Sequence, residues 1–217
     1  MDKDSLVKIL YLKEVESTQN FLKKLIKAKE VKAPFAVVSD VQTSGIGSRN
    51  NTWDSQEGNL FLSFSIELCE LPKDLKLESA SIYFSYIFKT VLCEEGSCVW
   101  IKWPNDFYID DKKIGGMVTN LVGETLICGL GLNLITAPDG FSKLDIKVDK
   151  KEVLKKYFKK IEENFLWKQV FSKYQLEFLK NKNFFTHNKN IKIPLEDVKL
   201  QQDGSIISNG ERIYSRR

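Results

Sequence analysis

The stretch KWPNDFYIDDKKIGG, Lys102 to Gly116, reads as a strand, a stiff corner, a second strand, a turn and a return strand. Pro104 fixes its own backbone and biases Trp103 to an extended conformation, so the Asn105-Asp106 corner is held firmly. Phe107–Ile109 is apolar, Asp110-Asp111 supplies the turn, and Ile114–Asn120 carries the chain back. Gly115 and Gly116 allow a ligand to approach the backbone. Asp106 offers carboxylate oxygens of the kind that hard cations such as magnesium prefer. Lys102 and Lys113 can neutralise phosphate or carboxylate charge. An isolated strand lysine is more often just exposed. Two lysines, an amide and an acid around one hairpin read as a unit.

Outward from this hairpin, the chain alternates strands and helices. Ile9–Leu12, Ala36–Val38 and residues 60–66 read as strands, the last with Leu60, Leu62, Phe64 and Ile66 on one face. Ser17 or Thr18 caps a helix bearing Phe21, Leu22, Leu25 and Ile26. Leu77–Leu92 has helical spacing and many aromatics, Val99–Lys102 precedes the corner, and Glu124–Leu134 is a further strand. One amphipathic helical region begins at Asp149 and runs to about Phe178. The tail carries short β pieces at 191–193, 198–200 and 205–207, with turns at Asp203-Gly204 and Asn209-Gly210. The order predicts an α+β fold, a mixed and mostly antiparallel sheet backed by helices. Residues 1–187 are expected to form the main domain and 188–217 a short C-terminal β segment.

Two other stretches carry candidate chemistry. Gln42 to Trp53, QTSGIGSRNNTW, opens an 18-residue polar loop, too long for a mere connector. Gly45 and Gly47 free successive N–H groups to face an anion, although a plain surface loop fits as well. Trp53 within it suits a lid or a stacking platform. Ile127 to Leu134, ICGLGLNL, has glycines inside a strand, which mark either a bulge, tight packing or close ligand approach; Asn133 can bond a base edge.

Composition sets bounds. The chain has 217 residues, 42% hydrophobic and 29% charged, enough for one sizeable core. No apolar run reaches membrane-spanning length and no secretory signal opens the chain, so a cytoplasmic protein is expected. Cys69, Cys93, Cys98 and Cys128 lack metal-site spacing, and the sole histidine, His187, is far from them, so reduced structural cysteines are expected. Net charge is +4, with eleven lysines against five acids between Lys147 and Lys182. That cluster reads as a solvated helix face or as a lure for an acidic partner. With arginine scarce and no helix-turn-helix segment before the core, specific DNA binding is not expected.

Taken in order, these pieces resemble the biotin protein ligases. Glu16-Ser17-Thr18-Gln19 is similar to the family's ST[NQ] stretch, and Gln42–Trp53 stands in the place of its QxxGRGRxGRxW loop. Gly58-Asn59-Leu60-Phe61-Leu62-Ser63 resembles GNLYxS, Lys102–Asp106 is KWPND complete, Lys113-Ile114-Gly115-Gly116 resembles KxxG, and Gly129–Asn133 resembles GxGxN. The resemblance implies a class II synthetase-like, biotinyl-lipoyl ligase fold with a reduced SH3-like tail. It implies an ATP-dependent biotin–[acetyl-CoA-carboxylase] ligase that forms biotinyl-5′-AMP and passes biotin to a lysine of a biotin carboxyl carrier protein domain. The implied catalytic pair is Lys113 and Lys102. Biotin would be held by Ser17, Thr18, Gln42, Gly45, Lys113 and Gly116. The nucleotide would meet Ile46, Ser48, Arg49, Trp53, Lys102, Asn105 and Asn133, with Asp106 on magnesium. Such relatives dock acceptors, and pair as homodimers, along a sheet edge; no N-terminal DNA-binding domain is expected.

This sequence departs from the family pattern at Ile46, Ser48 and Asn51, where arginines are usual, leaving Arg49. Serine cannot replace a guanidinium's grip on phosphate, so weaker retention of the adenylate is expected. Two other readings stay open. A lipoate ligase or octanoyltransferase shares the fold, but its RRxxGGGxVxHD loop is missing; labelling with biotin against lipoate separates them. A non-catalytic biotin-binding module is the other, and pyrophosphate release decides it.

Overall fold

A computed structural model describes residues 7–47, 51–188 and 191–215. Its frame is a seven-stranded sheet in the order β1-β2-β5-β9-β8-β7-β6. These strands are β1 (Lys8–Val15), β2 (Phe35–Gln42), β5 (Leu60–Glu67), β6 (Trp100–Lys102), β7 (Asp106–Ile109), β8 (Lys112–Val122) and β9 (Thr125–Leu132). Only β1 and β2 pair in parallel; the other pairs are antiparallel. The expected mixed, mostly antiparallel sheet backed by helices is the fold observed.

Period-two alternation divides this sheet into two faces. On β5, Leu60, Leu62 and Phe64 turn to one side and pack under helices α2 (Ala80–Glu94), α3 (Lys150–Glu162) and α4 (Trp167–Phe178). Phe84, Tyr157 and Phe158 meet Phe64 edge-on there, the geometry aromatic quadrupoles favour. On the other side, α1 (Thr18–Lys27) drives Leu22 onto Phe35, Val37 and Ile127. Ser17 caps α1, its hydroxyl oxygen accepting from the Asn20 amide at 3.4 Å.

Two local expectations change and a third is extended. The helical run from Asp149 is two helices, because Asn164 adopts a positive φ of 49° and ends α3, a conformation that asparagine tolerates. The loop after Gln42 holds a small hairpin, β3 (Gly45–Ile46) on β4 (Thr52–Trp53). The C-terminal strands β10 (Phe185–Asn188) with β11 (Ile191–Pro194), and β12 (Lys199–Leu200), β13 (Ile206–Ser208) and β14 (Glu211–Ile213), make two small sheets. Their Leu195, Ile206 and Ile213 belong to the same buried core as α2. The four cysteines form no disulfide, and burial pushes the Cys128 thiol well above its ordinary value, so it behaves as an inert small hydrophobe.

Candidate active site

The α1 face of the sheet bears the site. The register fixes a cross-strand row Phe61–Gly131–Gly116–Asp106–Lys102, running over β5, β9, β8, β7 and β6. The neighbouring row is Ser63–Gly129–Val118. Directly opposed residues share a face, so three glycines form a floor without side chains. What stands above that floor is close. A Cβ at Gly131 would come within 2.7 Å of the Trp53 ring, and one at Gly129 would strike the Gln19 amide oxygen. At Gly116 it would lie 3.0 Å from an Asp106 carboxylate oxygen and 3.6 Å from Lys113 Nζ.

Lys113 reaches this face through a slip in register. Phe107 opposes Gly115 but Tyr108 opposes Lys113, leaving Ile114 as the extra residue. Such a bulge re-aims the side chains beyond it. Ile114 stays in the core, whereas the Lys113 ammonium stands 2.8 Å from Asp106 and 5.9 Å from the Trp53 ring. The corner before it is pinned at its amide: Asn105 Nδ2 donates to the Met117 carbonyl at 2.6 Å, and the Met117 N–H donates back to the Asn105 carbonyl at 3.2 Å. The Trp103–Pro104 bond at this corner is cis.

A small cavity, open on one side, lies over the floor. One end is a connected polar cluster. The Thr18 amide and hydroxyl donate to Gln42 Oε1 at 2.8 and 3.1 Å, and the Ser63 hydroxyl lies 2.9 Å from both Thr18 Oγ1 and Gln19 Oε1. Gln19 Nε2 donates to Asn120 Oδ1 and the Ile127 carbonyl. Gln42 Nε2 donates to Ser55 Oγ. Val118 and the backbone of Leu62, Met117 and Leu130, whose side chains turn to the helix face, line the floor between, and Lys113, Asp106 and Trp53 stand at the far end. The cavity thus offers donors and acceptors at one end, a floor largely free of side chains between, and a cation beside an aromatic at the other. That suits an amphiphilic ligand with a polar head and an anionic end.

Of the residues expected here, Ser17, Thr18, Gln42, Ile46, Trp53, Asp106, Lys113 and Gly116 line the cavity. Four others do not. Gly45 lies beneath the Trp53 carbonyl, where a Cβ would come within 2.6 Å, so it serves the β3–β4 hairpin. Lys102 is buried with its ammonium 5.7 Å from the Tyr108 ring. Asn105 spends its amide on Met117. Asn133 donates to the Ser142 carbonyl at 3.0 Å and so ties the chain after β9. Among the described residues, Trp53 Nε1, Asn105 Oδ1 and Asn133 Oδ1 are buried polar atoms without a hydrogen-bond partner. Ser48 and Arg49 lie outside the described residues. Gln19 and Ser63 were missed as site residues. The signal was present: serines at 63 and 65 alternate with the apolar face of β5.

A resident metal does not fit. Among the described residues no group of three or more His, Cys, Asp or Glu can hold an ion, and Asp106 is the carboxylate in the cavity. One carboxylate suits a magnesium ion that arrives on phosphate oxygens and keeps its waters.

Residues 11–133 match the Biotin/lipoate A/B protein ligase family model. The bifunctional ligase/repressor BirA of Escherichia coli is 31% identical over 137 residues, 58% of this chain but 40% of that protein. The chain thus spans well under half the length of that relative. The biotin acetyl coenzyme A carboxylase synthetase of Helicobacter pylori, solved with bound biotinylated ATP, is 37% identical with a TM-score of 0.92, covering 96% of this chain and 99% of that one. The biotin protein ligase of Aquifex aeolicus, solved with biotin and ATP, is 26% identical with a TM-score of 0.75, covering 95% and 94%.

Proposed function

The chain belongs to the biotin/lipoate A/B protein ligase family, and from that premise we propose that it is an ATP-dependent biotin–[acetyl-CoA-carboxylase] ligase. It would join biotin to AMP and pass the biotinyl group to a lysine of a biotin carboxyl carrier domain. The observation that carries this reading is the Lys113 ammonium, poised over a glycine floor between a polar cluster and Trp53.

The chemistry asks little of the protein beyond placement. A carboxylate is already nucleophilic at neutral pH, so no Ser–His or Cys–His pair is needed. Its oxygen attacks the α-phosphorus of ATP, the bond to the β-phosphate oxygen breaks, and pyrophosphate leaves. The acceptor's amine, once deprotonated, attacks the carbonyl of the mixed anhydride and AMP leaves. Bringing two anions together is the difficulty, and Lys113 would offset both charges. Ser17, Thr18 and Gln42 would grip the ureido ring, and the glycine row lets the reacting atoms lie close to the sheet. Trp53 would stack on adenine, with Ile46 beside the nucleotide and Gly116 beside biotin. Asp106 would hold a magnesium carried by the phosphates, which supplies further charge neutralisation. Lys102, Asn105 and Asn133 would act from behind the cavity wall, and Ser48 and Arg49 on the nucleotide.

The acceptor would dock by strand addition. β8 runs past β7, and no described strand covers its residues 118–122 on that side, where Leu121 is 52% exposed. A homodimer through this edge would compete with the acceptor for it. No described helix is long and apolar enough to cross a membrane. The test is mass spectrometry of a carrier domain incubated with the protein, biotin and Mg-ATP. A mass gain of one biotinyl group on one lysine is expected; labelling with lipoate instead, or no labelling, counts against the reading.

A further inference from the structure

β6 ends the seven-stranded sheet, yet its outer edge is closed by side chains. An end strand presents N–H groups at alternate residues, about 6.6 Å apart. Here the Ile101 N–H donates to Glu177 Oε1 at 2.6 Å, and the Trp103 N–H donates to Asn181 Oδ1 at 2.8 Å. Glu177 lies in the last turn of α4 and Asn181 four residues on, in the 3₁₀ segment Leu179–Asn183, about 6–8 Å along the axis, so the spacing is compatible. Two side chains thus stand in for a neighbouring strand. Both acceptors are fixed. The second oxygen of Glu177 pairs with Lys89, and Asn181 is fully buried with its Nδ2 on the Phe178 carbonyl at 3.1 Å. Trp103 is held a second time, since its indole N–H donates to the Gly204 carbonyl at 2.8 Å.

We propose that Asn181, with the Trp103 indole as its second anchor, is a positioning residue for the ligase reaction, fixing the strand and corner that carry Lys102 and Asp106. The inference rests on the function proposed above. Trp103 lies between those two residues in the chain, next to Lys102 and three before Asp106, whose carboxylate meets Lys113 at 2.8 Å. Loosening the Trp103 backbone moves the far end of the cavity, where carboxylate and phosphate would meet. It leaves the cluster of Thr18, Gln42 and Ser63, on α1, β2 and β5, undisturbed. A misplacement near 1 Å is enough to slow a reaction about a hundredfold.

The prediction is a split between turnover and binding in the full chain. With saturating biotin and Mg-ATP, Asn181→Ala is expected to release pyrophosphate about ten- to a hundredfold more slowly. Its biotin affinity by calorimetry is expected to stay at the parent value. Trp103→Phe, which keeps an aromatic but deletes the indole N–H, should shift the same way. Val170→Ala, a buried α4 truncation two turns before Glu177 and beside Tyr86 and Ile87 of α2, is the control for lost stability alone. Parent-like turnover in Asn181→Ala, or a loss no larger than that of Val170→Ala, overturns the proposal. So does biotin affinity falling in step with rate. If Asn181→Ala does not fold, Trp103→Phe decides by the same criteria. A parent chain that releases no pyrophosphate would instead sink the proposed function.

Discussion

Lys113 shows how much one residue's placement matters. Its spacing from Asp106 is visible in the sequence, but alternation along β8 would turn it toward the core; the extra residue Ile114 turns it to the site. Lys113→Ala removes the cation and leaves Asp106 without that partner. The expected result is a fall of about 10²–10³-fold in biotin-dependent pyrophosphate release, with folding little changed because the side chain is partly exposed. An undiminished rate would count against any charge role. Ile46 lies at the cavity rim, 40% exposed, where the family pattern has arginine. Ile46→Arg would add a charge-assisted bond to phosphate, and adenylate release measured by trapping should slow about tenfold or more. Gln19 and Ser63 were readable as polar residues, but only the contact between α1 and β5 gives them one another.

At the level of elements, the turn Gln202–Gly204 joins three parts of the chain. Trp167 Nε1 donates to the Gln202 carbonyl at 2.7 Å, Ser79 to the Asp203 carbonyl, and Trp103 to the Gly204 carbonyl. Gly204 takes a positive φ of 75°, and a Cβ there would meet Ile82 at 2.8 Å, so glycine is required twice over. Asp203 shapes this turn by accepting from the Ser205 N–H and hydroxyl, with Arg212 at 3.5 Å. Burial by itself would push this carboxyl up, but Ser205 and Arg212 outweigh it and hold it below the ordinary range. A carboxyl depressed in the fold adds stability that is complete above its unfolded value of 3.8 and is lost as pH falls through the lower folded one. Asp203→Asn is therefore expected to be less stable at neutral pH and to lose less stability on acidification below pH 3.8. Melting temperatures against pH check it; parallel curves for both proteins would refute it. The turn itself was legible as Asp203-Gly204, whereas its three donors were not, since they lie 35 to 124 residues away from the carbonyls they meet.

For the whole molecule, the C-terminal strands are part of one core. Leu195, Ile206 and Ile213 are buried with α2 and α4, and burying three such side chains contributes roughly 5–9 kcal/mol. That is comparable with the entire stability of a typical domain, about 5–15 kcal/mol. The full chain is expected to melt in one transition, and a chain ending at Asn188 to lose cooperative folding, read by calorimetry and near-ultraviolet circular dichroism. A truncated protein that melts sharply near the parent temperature would show the segment to be dispensable. The sequence by itself determined the element types, the mixed sheet and the chemistry of the hairpin, because periodicity, turn residues and the KWPND-to-lysine spacing are local. Tertiary structure decided which glycines align into a floor, that the slip at Ile114 turns Lys113 to the site, and that Asn181 stands in for a strand beside Trp103. Those depend on register between distant strands and on helix docking, which no single stretch of chain encodes.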